Sequence, residues 1–156
     1  MFSGFISAAR PRLPRAWRDE DGVSAVEFAL IAPLLIAMMV CIVDFGLGYY
    51  TDTQLASAAQ AGAAYAVHKG YDAAGITTIV QSATKLGNIG VAPAQFCGCP
   101  SATGVIGASC GAMCDDGLRA GTFAEVTATA DYTPLVSYPG LPNVFHLSEK
   151  ATARLQ

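Results

Sequence analysis

Few residues in this chain have the types and spacing that chemistry requires. Its two histidines, His68 and His146, leave little material for a metal site or a general base. Asp115 and Asp116 precede Gly117 and read as a turn or a solvated face rather than an acid–base pair. The serines show no nucleophile elbow or triad spacing, and no glycine-rich loop carries the lysine of a phosphate site. The sequence therefore predicts no enzyme, no cofactor, no metal and no small-molecule substrate. Two groups remain. One is a junction, Gly22-Val23-Ser24-Ala25-Val26-Glu27-Phe28, and the other is a cluster of four cysteines, Cys97, Cys99, Cys110 and Cys114.

The element that positions the junction is an apolar run. Of 156 residues, 53% are apolar and only 13% charged, against roughly 25% charged in soluble domains. The deficit is local, because Glu27 is the one charged residue from 22 to 43. A helix over residues 23–43 would be about 31 Å long at about 1.5 Å per residue, and the hydrocarbon core of a bilayer is about 30 Å thick. The rest of the chain is too small to wrap such a helix as a buried core. A cleaved secretory signal would have a shorter apolar region with a small-x-small site directly after it. The run thus predicts one transmembrane helix. Arg10, Arg12, Arg15 and Arg18 precede it, and no basic residue follows until Lys69, which predicts a cytoplasmic N-terminus and an outer C-terminal part. The net charge of −3 and the lack of a basic patch argue against nucleic acid as a partner.

The junction is more specific than the span. An acid within an apolar helix costs about 2.5–3.5 kcal/mol at the bilayer centre and less near the interface, so Glu27 calls for a partner. A glycine closing a basic leader, with Glu and an aromatic following, resembles the type IV prepilin processing signal. There a membrane peptidase cuts after the glycine. On that resemblance Gly22 ends the leader and Val23 becomes the new N-terminus. Its α-amino group would stand one helical turn from Glu27, of the same or a neighbouring subunit.

The wider segment, from Gly22 to Val67, resembles the TadE-like proteins, pseudopilins of the tight-adherence (Tad, or Flp) pilus system. The matching residues are the VEFAL core, Ala32-Pro33-Leu34-Leu35, the acid-aromatic-glycine step Asp44-Phe45-Gly46, and the alanine-rich stretch ending Gly62-Ala63-Ala64-Tyr65-Ala66. The resemblance implies a minor pseudopilin in the bacterial inner membrane, cut by a prepilin peptidase. Its partners would be other Tad pilins or pseudopilins and the assembly platform. Family members usually carry a basic residue soon after the acid-aromatic-glycine; Leu47-Gly48-Tyr49-Tyr50 stands there instead. The alternative function is an uncleaved, single-pass membrane-anchored binding module of the cell envelope.

Pro33 lacks an N–H and frees the Ala29 carbonyl, which predicts a kink within the span. Beyond the span, Leu55, Ala58, Ala59, Gly62 and Tyr65 make a narrow helical stripe, and Gly70 suits a C-cap. The span and its extension predict a helix of about 45 residues. A second short helix is expected over residues 72–86 with Asp72 as N-cap. Strands are expected at 89–97, 122–132 and 143–154. The predicted fold is α+β: a long N-terminal transmembrane helix extending into a small outer domain with a short helix and a roughly three-stranded antiparallel sheet. The boundaries are 1–22 for the leader, 23–70 for the helix and 71–156 for the outer domain. Cys41, within the span, reads as a small apolar residue. Four outer cysteines in an oxidising compartment predict two disulfides, with Cys97 and Cys99 each bridging to Cys110 or Cys114.

Overall fold

A computed structural model of the chain describes residues 21–155. The chain divides into two compact units, Met1–Cys41 and Ile42–Gln156. Helix α1, Asp21–Lys69, runs through both as one element of 49 residues. Its assignment continues unbroken through Pro33.

In the first unit α1 carries apolar side chains with no protein cover. Val23, Phe28, Leu30, Leu34 and Met39 are all exposed. An all-round apolar helix is not stable in water and matches the lipid phase instead. Among the described residues, α1 is the one helix long and apolar enough to cross a membrane, which fits a single-pass membrane protein.

The second unit is built on the later part of α1. Leu55, Ala58, Ala59, Gly62, Ala63 and Ala66 are buried, the i, i+3, i+4, i+7 pattern of one helix face. Helix α2, Ala73–Ser82, follows Gly70, which ends α1 at φ +84° while its N–H reaches the Ala66 carbonyl at 3.0 Å. Asp72 caps α2, its carboxylate accepting the Ala74 N–H at 3.2 Å. The helix is shorter than the expected 72–86. It stops at Ser82, because only Ile76 and Val80 of its apolar residues find a buried place, and the chain then turns toward the sheet.

The sheet has four antiparallel strands: β1 Gly90–Ser101, β2 Gly104–Gly107, β3 Gly121–Tyr132 and β4 Phe145–Arg154, in the order β2-β1-β3-β4. The expected three-stranded core is present as β1, β3 and β4. Strand β2 is added at the edge, in a glycine-containing stretch where no strand is expected from the sequence. Its four residues carry no alternation, and it forms only because β1 offers backbone partners from Gly98 to Ser101.

The core lies where α1, α2 and one face of the sheet meet. Ala124, Val126, Ala128 and Ala130 alternate inward along β3. Phe123 has the opposite parity and is buried by stacking on Phe96, its cross-strand partner, with ring centroids 5.9 Å apart. Small residues on α1 let the layers approach closely. A Cβ at Gly62 would lie 2.5 Å from Val80 Cγ2, 3.2 Å from Val126 Cγ1 and 3.3 Å from Ile76 Cγ2.

Disulfides join Cys97 to Cys110 and Cys99 to Cys114, with Cα–Cα distances of 5.1 and 5.6 Å. They tie β1 to the loop that follows β2, where few apolar groups are buried. Sequence separations of 13 and 15 residues correspond to about 3 kcal/mol each in the chain-entropy view. Cys41 is the free thiol among the described residues.

Two outcomes test this packing. Gly62→Ala should gain about 1 kcal/mol of helix propensity but overpack a wall of β-branched side chains at a cost of about 1–3 kcal/mol. The packing term is the larger, so the variant should melt at a lower temperature than the parent; an unchanged or higher melting point would contradict the close approach. Alkylation of the unreduced, denatured protein should label Cys41 alone, and labelling after reduction should reach all five cysteines.

Candidate functional site: the glycine–glutamate junction and the Asp44 anchor

Residues of the junction lie at the head of α1. Gly22 is the second residue of the helix, and Val23, Glu27 and Phe28 are exposed on its first turns. Val23 and Glu27 are four residues apart in continuous helix and therefore share a face. Glu27 makes no ion pair among the described residues. The basic leader with Arg10, Arg12, Arg15 and Arg18 lies outside the described residues. Glycine inside a helix costs about 0.5–1 kcal/mol relative to alanine. A Cβ at Gly22 would meet nothing within 4 Å among the described residues.

A second polar site stands just beyond the apolar run, at Asp44. This carboxylate is buried, with 3% of its surface exposed, beside a span that is otherwise bare of protein. Its Oδ1 accepts the Tyr132 hydroxyl at 2.5 Å and the Leu135 N–H at 3.1 Å. Chiefly the Tyr132 hydroxyl, and to a lesser extent Leu135, Tyr138 and Val136, hold the Asp44 carboxyl below the usual carboxylate range against its burial. The Tyr132 oxygen lies 2.8 Å from the Asp44 carbonyl as well. These donors come from the end of β3 and from the loop after it, so one acid on α1 ties down the β3–β4 connection. Burial, and then the hydrogen bond and charge of Asp44, push the Tyr132 phenol up to about 12.

Around this anchor Phe45, Tyr49, Tyr132, Pro134, Tyr138 and Leu141 line a cleft of about 360 Å³. The lining is apolar and aromatic. Asp44 and Asp52 are the two carboxylates beside it. Such a lining can hold apolar groups.

The remaining candidates fall away from both places. Asp116 accepts the Leu118 N–H at 2.9 Å within a turn that has Gly117 at φ +77°. His146 is exposed on β4 and pairs with its cross-strand neighbour Asp131 at 2.6 Å. Among the described residues no group of histidine, cysteine and carboxylate side chains is placed to hold a metal ion.

Sequence reasoning marks Asp44 through its place in the acid-aromatic-glycine step but misses its partners. Tyr132 and Leu135 lie 88 and 91 residues away. The one local signal is that residues 132–145 carry no charge between Asp131 and His146, a property that 86–114 shares, so it does not point to Asp44.

Tyr132→Phe should destabilise the second unit by about 1–3 kcal/mol, because it strips a donor from a buried acceptor. The phenol holds its proton more tightly in the folded chain than in the unfolded one, whose value is near 10. The stabilisation is thus complete below about pH 10 and is lost as the pH rises through about 12. Thermal melts in detergent should show the parent and the variant separated at neutral pH and converging at alkaline pH.

Comparison with known proteins agrees with the resemblance of the N-terminal segment. Neither the curated proteins nor the solved structures contain a match to this chain. The family model described as TadE-like protein matches residues 22–64, from the junction glycine through Asp44 to the buried stripe of α1. The helical segment that carries both candidate sites is TadE-like, of a family associated with the Tad pilus.

Proposed function

We propose that this protein is a minor pseudopilin that acts in assembly of a Tad/Flp-type pilus, and that a prepilin peptidase cuts it after Gly22. The observation that carries the reading is the junction itself. Gly22 stands five residues before Glu27 and six before Phe28. It does so at the head of a membrane-crossing helix, in a segment that matches the TadE-like family.

Cutting there would leave Val23 as an amine and Glu27 as its acid one turn on. Glu27 stands exposed in an apolar stretch, with no ion pair among the described residues. Neutralising that acid with an amine of the same or an adjacent subunit offsets the cost of holding it in lipid. This is a means of registering one subunit against the next. In this reading the leader, residues 1–22, is cytoplasmic and the precursor sits in the inner membrane. Residues 71–156 form an outer domain in an oxidising compartment, which agrees with its two disulfides. The partners are the peptidase, other Tad pilins or pseudopilins, and the assembly platform.

N-terminal sequencing of the protein from cells with an active prepilin peptidase should begin at Val23. An intact Met1 in those cells would overturn the reading and leave an uncleaved anchored module. Gly22→Val should block processing. Glu27→Gln should be processed normally yet fail to assemble; normal assembly of that variant would refute the pairing of Glu27 with the new amine.

A further inference from the structure

We propose that the β3–β4 loop, residues 133–144, is a second membrane contact that lies in the headgroup region beside the point where α1 leaves the bilayer. This rests on the reading of residues 23–43 as a membrane span.

Three observations carry it. The first is position. The span ends at Val43, and Asp44 is the next residue. The Leu135 N–H and the Tyr132 hydroxyl are both bonded to the Asp44 carboxylate. Side chains on a helix lean toward its N-terminus, which here is the membrane side. Leu135 is therefore held at the level of Asp44 or closer to the hydrocarbon.

The second is composition. No charged residue occurs from 132 to 145, while Asp131 and His146 stand at its two ends. Within the loop Leu135 is 67% exposed, Leu141 48% and Val136 44%. A loop bathed in water has no reason to present so many large apolar groups together. On α1, Phe45, Tyr49 and Tyr50 are exposed within the two turns that follow Val43. Aromatic residues at that level form the belt typical of membrane–water interfaces.

The third is the backbone. Irregular chain cannot enter hydrocarbon with unpaired N–H groups. This loop has three prolines, Pro134, Pro139 and Pro142, which have none. The Leu135 N–H is taken by Asp44, and the Leu141 N–H by the Tyr138 carbonyl at 3.2 Å. Ser137 donates to the Asn143 side chain at 2.7 Å. The remaining N–H groups need water or lipid headgroups as acceptors, which places the loop in the headgroup region and not in the hydrocarbon.

The partner is a lipid surface rather than a protein, because the uncharged stretch is tied to the residue at which the span ends. Such a contact would fix the tilt and height of the second unit at the membrane. It would also be given up if the subunit were drawn out of the bilayer.

The test places single tryptophans in the full chain with Trp17→Phe, reconstituted in phosphatidylcholine–phosphatidylglycerol vesicles whose acyl chains carry bromine near the headgroup or near the chain end. Leu135→Trp and Leu141→Trp should lose emission to the shallow bromines and shift to the blue. Leu35→Trp, inside the span, should lose emission to the deep bromines. Ile106→Trp, exposed on β2, should lose none. Quenching at 35 without quenching at 135 and 141 would overturn the loop contact, leave the span intact and point to a protein covering the patch. Absence of quenching at 35 would overturn the span, and the loop contact with it.

Discussion

Along one stripe of α1 the side chains are almost as small as side chains can be, and the second unit exists because of it. Ala58, Ala59, Gly62, Ala63 and Ala66 bring the helix backbone against Ile76, Val80 and Val126. Dispersion contacts in such a seam are individually weak, but they extend along about three turns of helix. A bulky stripe would hold α2 and β3 away, and the alanines of β3 would then line a void. Small residues on the helix and small residues on the strand are complementary choices, and neither works without the other.

The same helix must satisfy two solvents. Over its first part the apolar groups point in all directions, as lipid demands, and over its later part they are confined to one face. The change occurs at Asp44, where the chain places a carboxylate and then supplies it with hydroxyl and amide donors. A buried acid without donors would be costly at any depth. With them it becomes the one polar knot joining α1 to the far end of the sheet, while the apolar seam holds the near end. The disulfides take over where neither reaches, in the glycine-rich region around β2.

Much of this was legible in order along the chain. The periodicity of Leu55, Ala58, Ala59 and Gly62 announces a buried stripe, and the alternation in 124–130 announces an inward-facing strand. Both are patterns among near neighbours, so no knowledge of the fold is needed to see them. Strand β2 was illegible because edge strands with glycine at both ends carry no alternation; their pairing is imposed by the neighbour. The second helix is shorter than local propensity through 83–86 suggests, because its end is decided by which side chains can reach the core.

By itself the sequence determined the apolar span, the glycine–glutamate junction at its head, the helical stripe and the presence of four cysteines to be paired. Each is a property of residue types at fixed short spacings, which covalent geometry converts directly into shape. Only the tertiary structure decided which cysteine meets which, and that Tyr132 and Leu135 close on Asp44 from 88 and 91 residues away. Only it brought the loop after β3 onto Asp44, the residue that follows the apolar run. Those outcomes depend on closing long loops, and whether a long loop closes is settled by the packing of the whole unit and not by the residues at its ends.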